Sequence, residues 1–172
     1  NAQGYNVFRT PETSGAIGVF NARFSELLTA RVSGEAKRWF FHLHLLEPHA
    51  AYNPPEDYPG GVADPPPIYA DLSDKSAHYE MRDQWRDLSA DEQEVLEQHL
   101  RVRYQGELTW LDDQLQIIFA DLGARGLLDD ALVVIWNDHG EQFWEHGHQT
   151  HAYNLYPEEN DGIALFWAPN IV

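Results

Sequence analysis

The run Val133-Val134-Ile135-Trp136-Asn137-Asp138-His139-Gly140-Glu141 limits what this chain can fold into more than any other segment. Three β-branched residues and a tryptophan in succession fit a pleated surface poorly matched to a helix. An apolar run without alternation reads as a strand covered on both faces, the pattern of a layered α/β sheet. The run stops at an acid and an imidazole, and Gly140 permits a sharp turn there. In open α/β sheets, ligands gather beyond the carboxyl ends of strands, so the chemistry is expected at this end. A carboxylate and a neutral imidazole together are ligands for a divalent cation. A bare Asp-His-Gly tripeptide is more simply a turn with an exposed acid. The apolar strand before it, and His146, His148 and His151 after it, favour the metal reading.

The flanking elements support a layered fold. Phe20, Phe24, Leu27, Leu28 and Val32 recur at helical spacing, which predicts a helix over 15–33. Trp39 to Leu45 reads as a strand, with His42 and His44 on one face and Leu43 and Leu45 on the other. Most of the prolines fall between Pro48 and Ser76, which predicts a long loop there. Ser89-Ala90-Asp91-Glu92 is a capping-box signature for a helix over 90–122, and Leu108, Leu111, Leu115, Ile118 and Leu122 form its apolar stripe. Strands are expected at 131–137 and 163–167, giving an α/β fold whose mainly parallel sheet is sandwiched by helices.

Composition narrows the partners. Eleven basic against 28 acidic residues give a net charge of −17, which disfavours nucleic acid and anionic membranes as partners. No apolar run reaches the ~20 residues of a membrane-spanning helix. Cysteine is absent, so no thiol nucleophile and no disulfide operates within these residues. The chain does not begin with Met, and Asn1-Ala2 resembles the remainder of a cloning scar. Residues 1–172 are therefore expected to form a single, partial domain of a longer protein.

The other histidines divide by position. On a strand His42 and His44 share one face, and His42 is read as a hydrogen-bonded sheet residue. His49 lies past the end of its segment, as Asp138 does, which makes it the better candidate for function. The group His146, His148 and His151 suits a second metal site, cationic donors to an anion, or incidental surface positions. Asp112 and Asp113 read as a solvated helix face.

Two segments carry a family resemblance. Trp39-Phe40-Phe41-His42-Leu43-His44-Leu45-Leu46-Glu47-Pro48-His49-Ala50-Ala51-Tyr52 is similar to the "FFLxxHxxxPHxPY" strand of the sulfatase branch of the alkaline phosphatase superfamily. The stretch from Tyr104 through Leu111-Asp112 and Gly126-Leu127 to Asp138-His139-Gly140-Glu141 and Glu145-His146-Gly147 resembles "YxxxxxxLD…GLxDxTLVVxTSDHGExxGEHG". Leu155-Tyr156-Pro157-Glu158-Glu159 echoes "LYEE".

The resemblance implies an alkaline-phosphatase-like domain acting on a sulfate monoester, or alternatively a phosphate ester. It implies one divalent metal ion (calcium, manganese or zinc) on Asp138 and His139, substrate oxygens on His49 and His151, and supporting roles for Glu141 and His146. His151 falls where many members place a lysine, and Trp144 where a glycine is usual. The family's formylglycine, Ser or Thr nucleophile has no counterpart here, so the nucleophile-bearing N-terminal half is expected outside this sequence. This piece alone is expected to be inactive. The resemblance further implies an extracytoplasmic location, periplasmic or secreted. Two rivals belong to other classes: a noncatalytic binding or structural unit, and an independent zinc hydrolase built on His146, His148 and His151.

Overall fold

The computed structural model describes residues 24–26, 28–29, 39–61 and 75–170. Their elements are α1 (Lys75–Gln84), a 3-10 turn (Trp85–Asp87), α2 (Ala90–Ala124), β1 (Val133–Trp136), β2 (Gln142–Phe143), β3 (Gln149–Thr150), α3 (Pro157–Asn160) and β4 (Ala164–Trp167). Phe24–Glu26 and Leu28–Thr29 are helical; the rest of the helix expected over 15–33 lies outside the described residues, as do 62–74 of the proline-rich loop.

Helix α2 organises the molecule, and its ends are written in the sequence. Ser89, extended at ψ 160°, accepts from the Glu92 amide, and the Glu92 side chain accepts from the Ser89 amide at 2.8 Å. That reciprocal pair satisfies donors left over at the first turn. At the far end Gly126 takes φ +66°. The Leu127 amide then reaches the Leu122 carbonyl (3.0 Å) and the Gly126 amide the Gly123 carbonyl (2.9 Å). Both bonds belong to a Schellman closure, which requires a left-handed residue where this glycine stands. Thirty-five residues make α2 about 50 Å long.

The helix buries two separate surfaces. Leu96 and Leu100 join Tyr52, Met81, Phe143 and Trp144 in one apolar cluster, with Trp85 and Tyr104 packed against it. Ile118 joins Phe24 and Leu28 in another, flanked by Leu43, Leu115, Leu122 and Leu127. Leu108, placed in the stripe by its spacing, is exposed instead, because it falls between the two clusters.

The parallel sheet is not what the described residues form. Strands β1 and β4 pair antiparallel, Val133 opposite Trp167 and Trp136 opposite Ala164; β2 and β3 form a separate antiparallel hairpin. Parallel neighbours need a crossover of a dozen residues or more, usually a helix. The β1–β4 connection supplies a hairpin and the four-residue α3 instead, so the chain turns back along its own path. Strand β4 is exposed at all four residues. The expected strand over 39–45 has no ladder either. Its position comes from ring contacts, Phe41 edge-on to Phe24 (6.0 Å) and His42 tilted against Trp136 (5.7 Å). The α/β character stands; among the described residues the strand pairings are antiparallel, and no parallel sandwich is formed by them. Among the described residues no helix is long and apolar enough to cross a membrane.

Candidate active site beyond the first strand

Asn137 turns the chain out of β1. Its amide donates to the Ile163 carbonyl (3.3 Å), its side-chain carbonyl accepts from the Ile163 amide (2.6 Å), and its Nδ2 donates to the His139 carbonyl (2.5 Å). One side chain thereby extends the β1–β4 pairing and holds the following turn. Gly140 comes next, its amide on the Glu159 carbonyl at 2.8 Å. A Cβ at Gly140 would collide with the Glu158 carbonyl oxygen, so glycine is required by close backbone approach.

This turn sets Asp138 and His139 side by side. Asp138 Oδ1 lies 3.7 Å from His139 Nε2, and the Asp138 side chain is 84% exposed. His139 Nδ1 meets the Gly140 carbonyl at 2.7 Å. A carbonyl only accepts, so Nδ1 carries the proton, and in the neutral imidazole Nε2 is the bare nitrogen toward Asp138. His49 repeats the device: its Nδ1 lies 2.6 Å from the Ala50 carbonyl. Fixing the tautomer through Nδ1 is how metal-ligating or substrate-facing imidazoles are commonly oriented.

His151 brings these distant residues together. Its ring lies over His139 with centroids 3.9 Å apart and edge-on to His49 at 5.8 Å. Its Nδ1 bonds Glu141 Oε1 at 3.1 Å. Burial raises the Glu141 carboxyl above its ordinary range, opposed by the bond from His151 and by the Tyr52 hydroxyl. Tyr52, itself 1% exposed, is pushed well above the usual phenol range by burial and then by Glu141, which keeps it a neutral donor.

The hairpin that presents His151 is held from below. Gln142 and Gln149 are fully buried. Gln142 Nε2 donates to Glu159, whose other oxygen accepts from the Tyr153 and Asn154 amides at 2.9 and 3.2 Å. Arg101 lies over the Phe143 ring (4.8 Å) and donates to Glu145 (2.5 Å).

His146 and His148 face elsewhere. The His146 ring stacks on Tyr156 (3.5 Å) and bonds Glu158 (3.0 Å); His148 stacks on Tyr153 (5.0 Å). The three histidines of the hairpin thus have three different sets of neighbours, which removes the geometric basis of a zinc site built on them. Among the described residues no group of three or more His, Cys, Asp or Glu converges as a metal cage. Asp138 Oδ1 and the bare His139 Nε2 fit a divalent cation chemically, as one oxygen and one nitrogen donor of a larger set. Reading the sequence picked out Asp138, His139, His49, His151 and Glu141 but missed Asn137 and Glu159. Position marks both: Asn137 directly follows the apolar run, and Glu159 is the second acid of the Tyr-Pro-Glu-Glu segment.

Comparison with known proteins completes the description. The family model described as Sulfatase matches residues 1–170. A curated relative, the multifunctional alkaline phosphatase superfamily protein PehA of Trinickia caryophylli, is 28% identical over 143 residues, covering 72% of this chain. The match spans 27% of that protein's length.

Proposed function

Since the chain belongs to the sulfatase family, we propose that it is the C-terminal portion of a metal-dependent ester hydrolase domain acting on sulfate monoesters. The observation that carries this reading is that the His151 ring contacts both His49 and His139, up to 102 positions apart in the chain, with the exposed Asp138 carboxylate beside His139. A divalent ion, when bound, would polarise the ester's anionic group and activate the nucleophile. In this chain Asp138 and His139 would hold that ion. His49 and His151 bind and orient the anionic oxygens through their Nε2 atoms. The covalent nucleophile belongs to another part of the parent protein, because no Cys exists here and no Ser or Thr matches the family's segment.

That remaining part is also the proposed partner. Phe40 is 80% exposed, and Leu165 and Phe166 are 57% and 71% exposed. Apolar side chains on an uncovered ribbon support packing against further elements of the same domain. A phosphate ester is the second reading, favoured by the likeness to a multifunctional alkaline phosphatase superfamily protein.

The test assays purified chain and a parent protein containing it with aryl sulfate and aryl phosphate, each with calcium, manganese or zinc. The chain alone is expected to be inactive, and the parent active and disabled by Asp138→Ala. Robust turnover by the chain alone, lost in Asp138→Ala, would overturn the fragment reading. A parent that is active and indifferent to Asp138→Ala would overturn the metal reading.

A further inference from the structure

The three clustered imidazoles solve one problem in two ways. A neutral imidazole carries its proton on either nitrogen, and a ring that offers the wrong nitrogen cannot serve its site. For His49 and His139 the acceptor at Nδ1 is the carbonyl of the very next residue. Both acceptors are main-chain atoms, which every residue type supplies. His151 instead meets a side chain, Glu141, ten positions earlier in the chain.

Hairpin register explains the pairing. Gln142 stands opposite Thr150 and Phe143 opposite Gln149. Continuing one step outward, Glu141 and His151 face each other across the open end. Cross-strand neighbours at this spacing interact directly. The chain path around His151 is specified on both sides, since Thr150 (φ +74°) and Ala152 (φ +72°) both occupy the left-handed region. Non-glycine residues persist there only when surrounding structure over-determines them.

The carboxylate has little freedom to do anything else. Its side chain is 6% exposed, against 25% for His151. Tyr52 is buried against it and belongs to the apolar cluster under the hairpin. Burial on one side and a phenol on the other leave Oε1 facing the ring.

We propose that Glu141 is a positioning residue that holds the His151 ring in its Nδ1–H form, so that Nε2 is the atom presented beside His139 and His49. The proposal rests on the reading of His151 as a substrate-binding group, and assigns Glu141 the task that backbone carbonyls perform for the other two rings. A carboxylate oxygen at 3.1 Å from Nδ1 accepts and does not donate, so it selects one tautomer and one ring orientation. A neutral amide in its place both donates and accepts and selects neither.

The experiment is a long-range nitrogen–proton correlation of the imidazoles in the isotopically labelled chain, at a pH where they are neutral, with His151 assigned from His151→Gln. Wild type is expected to show His151 protonated at Nδ1 and bare at Nε2. Glu141→Ala and the isosteric Glu141→Gln should shift the ring toward the Nε2–H form, while Tyr52→Phe should leave it unchanged. Retained protection of the Tyr153 and Asn154 amides, which bond Glu159, reports that the hairpin is intact. If Glu141→Ala loses that protection, Glu141→Gln decides alone. An Nε2–H ring in wild type, or an unshifted ring in a folded variant, would overturn the proposal. The functional reading fails separately: a tautomer switch in Glu141→Gln with unchanged kcat and KM in the active parent would remove His151 from substrate binding and leave its positioning by Glu141 intact.

Discussion

Trp144 sits in a backbone conformation that suits glycine, with φ +65°. It begins the hairpin's tip, where its amide donates to the His148 carbonyl (2.8 Å) and its carbonyl accepts from the Gly147 amide (3.0 Å). The left-handed region costs a residue with a Cβ about 1–2 kcal/mol. The indole offsets that cost: it is 8% exposed, stacks on Trp85 with centroids 3.8 Å apart and planes 9° apart, and joins the cluster of Tyr52, Met81, Leu96, Leu100 and Phe143. Removing a buried tryptophan to alanine typically costs about 3–5 kcal/mol. Trp144→Ala loses the indole and keeps the strain. Trp144→Gly loses the indole and relieves the strain, so its cost should be about 2–4 kcal/mol. The expectation is an inverted order, with glycine more stable than alanine by ~1 kcal/mol although it is smaller. Urea midpoints followed by far-ultraviolet circular dichroism measure the difference, provided the slopes agree. A stabilising osmolyte common to both samples keeps the comparison measurable if either variant is marginal. Alanine equal to or more stable than glycine would refute the account of this turn.

Two further expectations concern buried carboxylates. Burial, opposed by the Asn53 amide and reinforced by Glu47, lifts Glu107 from 4.5 to about 7. Raised folded-state affinity for the proton means its stabilising contribution is full below pH 4.5 and lost as pH rises through about 7, a change on the order of 3 kcal/mol. Glu107→Gln, which keeps an acceptor for Asn53, should flatten that part of the urea midpoint against pH, and an unchanged curve would contradict the burial argument. Glu159→Ala strands the Gln142 amide and the Tyr153 and Asn154 N–H groups together. A loss of about 2–4 kcal/mol is expected, since buried donors without acceptors cost about 1–3 kcal/mol each and relaxation recovers part. Hydrogen exchange at Tyr153 and Asn154 should accelerate, and unchanged protection would mean the carboxylate is not their anchor.

What could be read from the sequence was whatever depends on neighbours a few residues away. The Ser89–Glu92 capping box and the Gly126 closure are local geometry, and α2 begins at Ala90 and runs to Ala124, two residues past its expected end. Asp138 and His139 were legible because the strand and turn that set them apart are contiguous. The pairing of Glu141 with His151 was not, since β2 and β3 hold two residues each, and Gln142, Phe143, Gln149 and Thr150 show no alternation from which a register could be counted. The turn signal was hidden as well, because tryptophan stands where a glycine would have announced a left-handed residue. The meeting of His49 with His151 was legible through the family resemblance alone and not from local pattern, as it depends on the segment 39–52 crossing beside the hairpin while forming no ladder of its own. Strand β4 marks the opposite limit. Ala164-Leu165-Phe166-Trp167 reads as a buried strand and is exposed at every position. Hydrophobic pattern records which side chains are selected for burial, without recording what covers them. On the reading proposed for this chain the cover is the rest of the parent domain, so the error in burial and the incomplete metal-ligand set have one cause. A parent protein that leaves Leu165 and Phe166 accessible to solvent would separate them again.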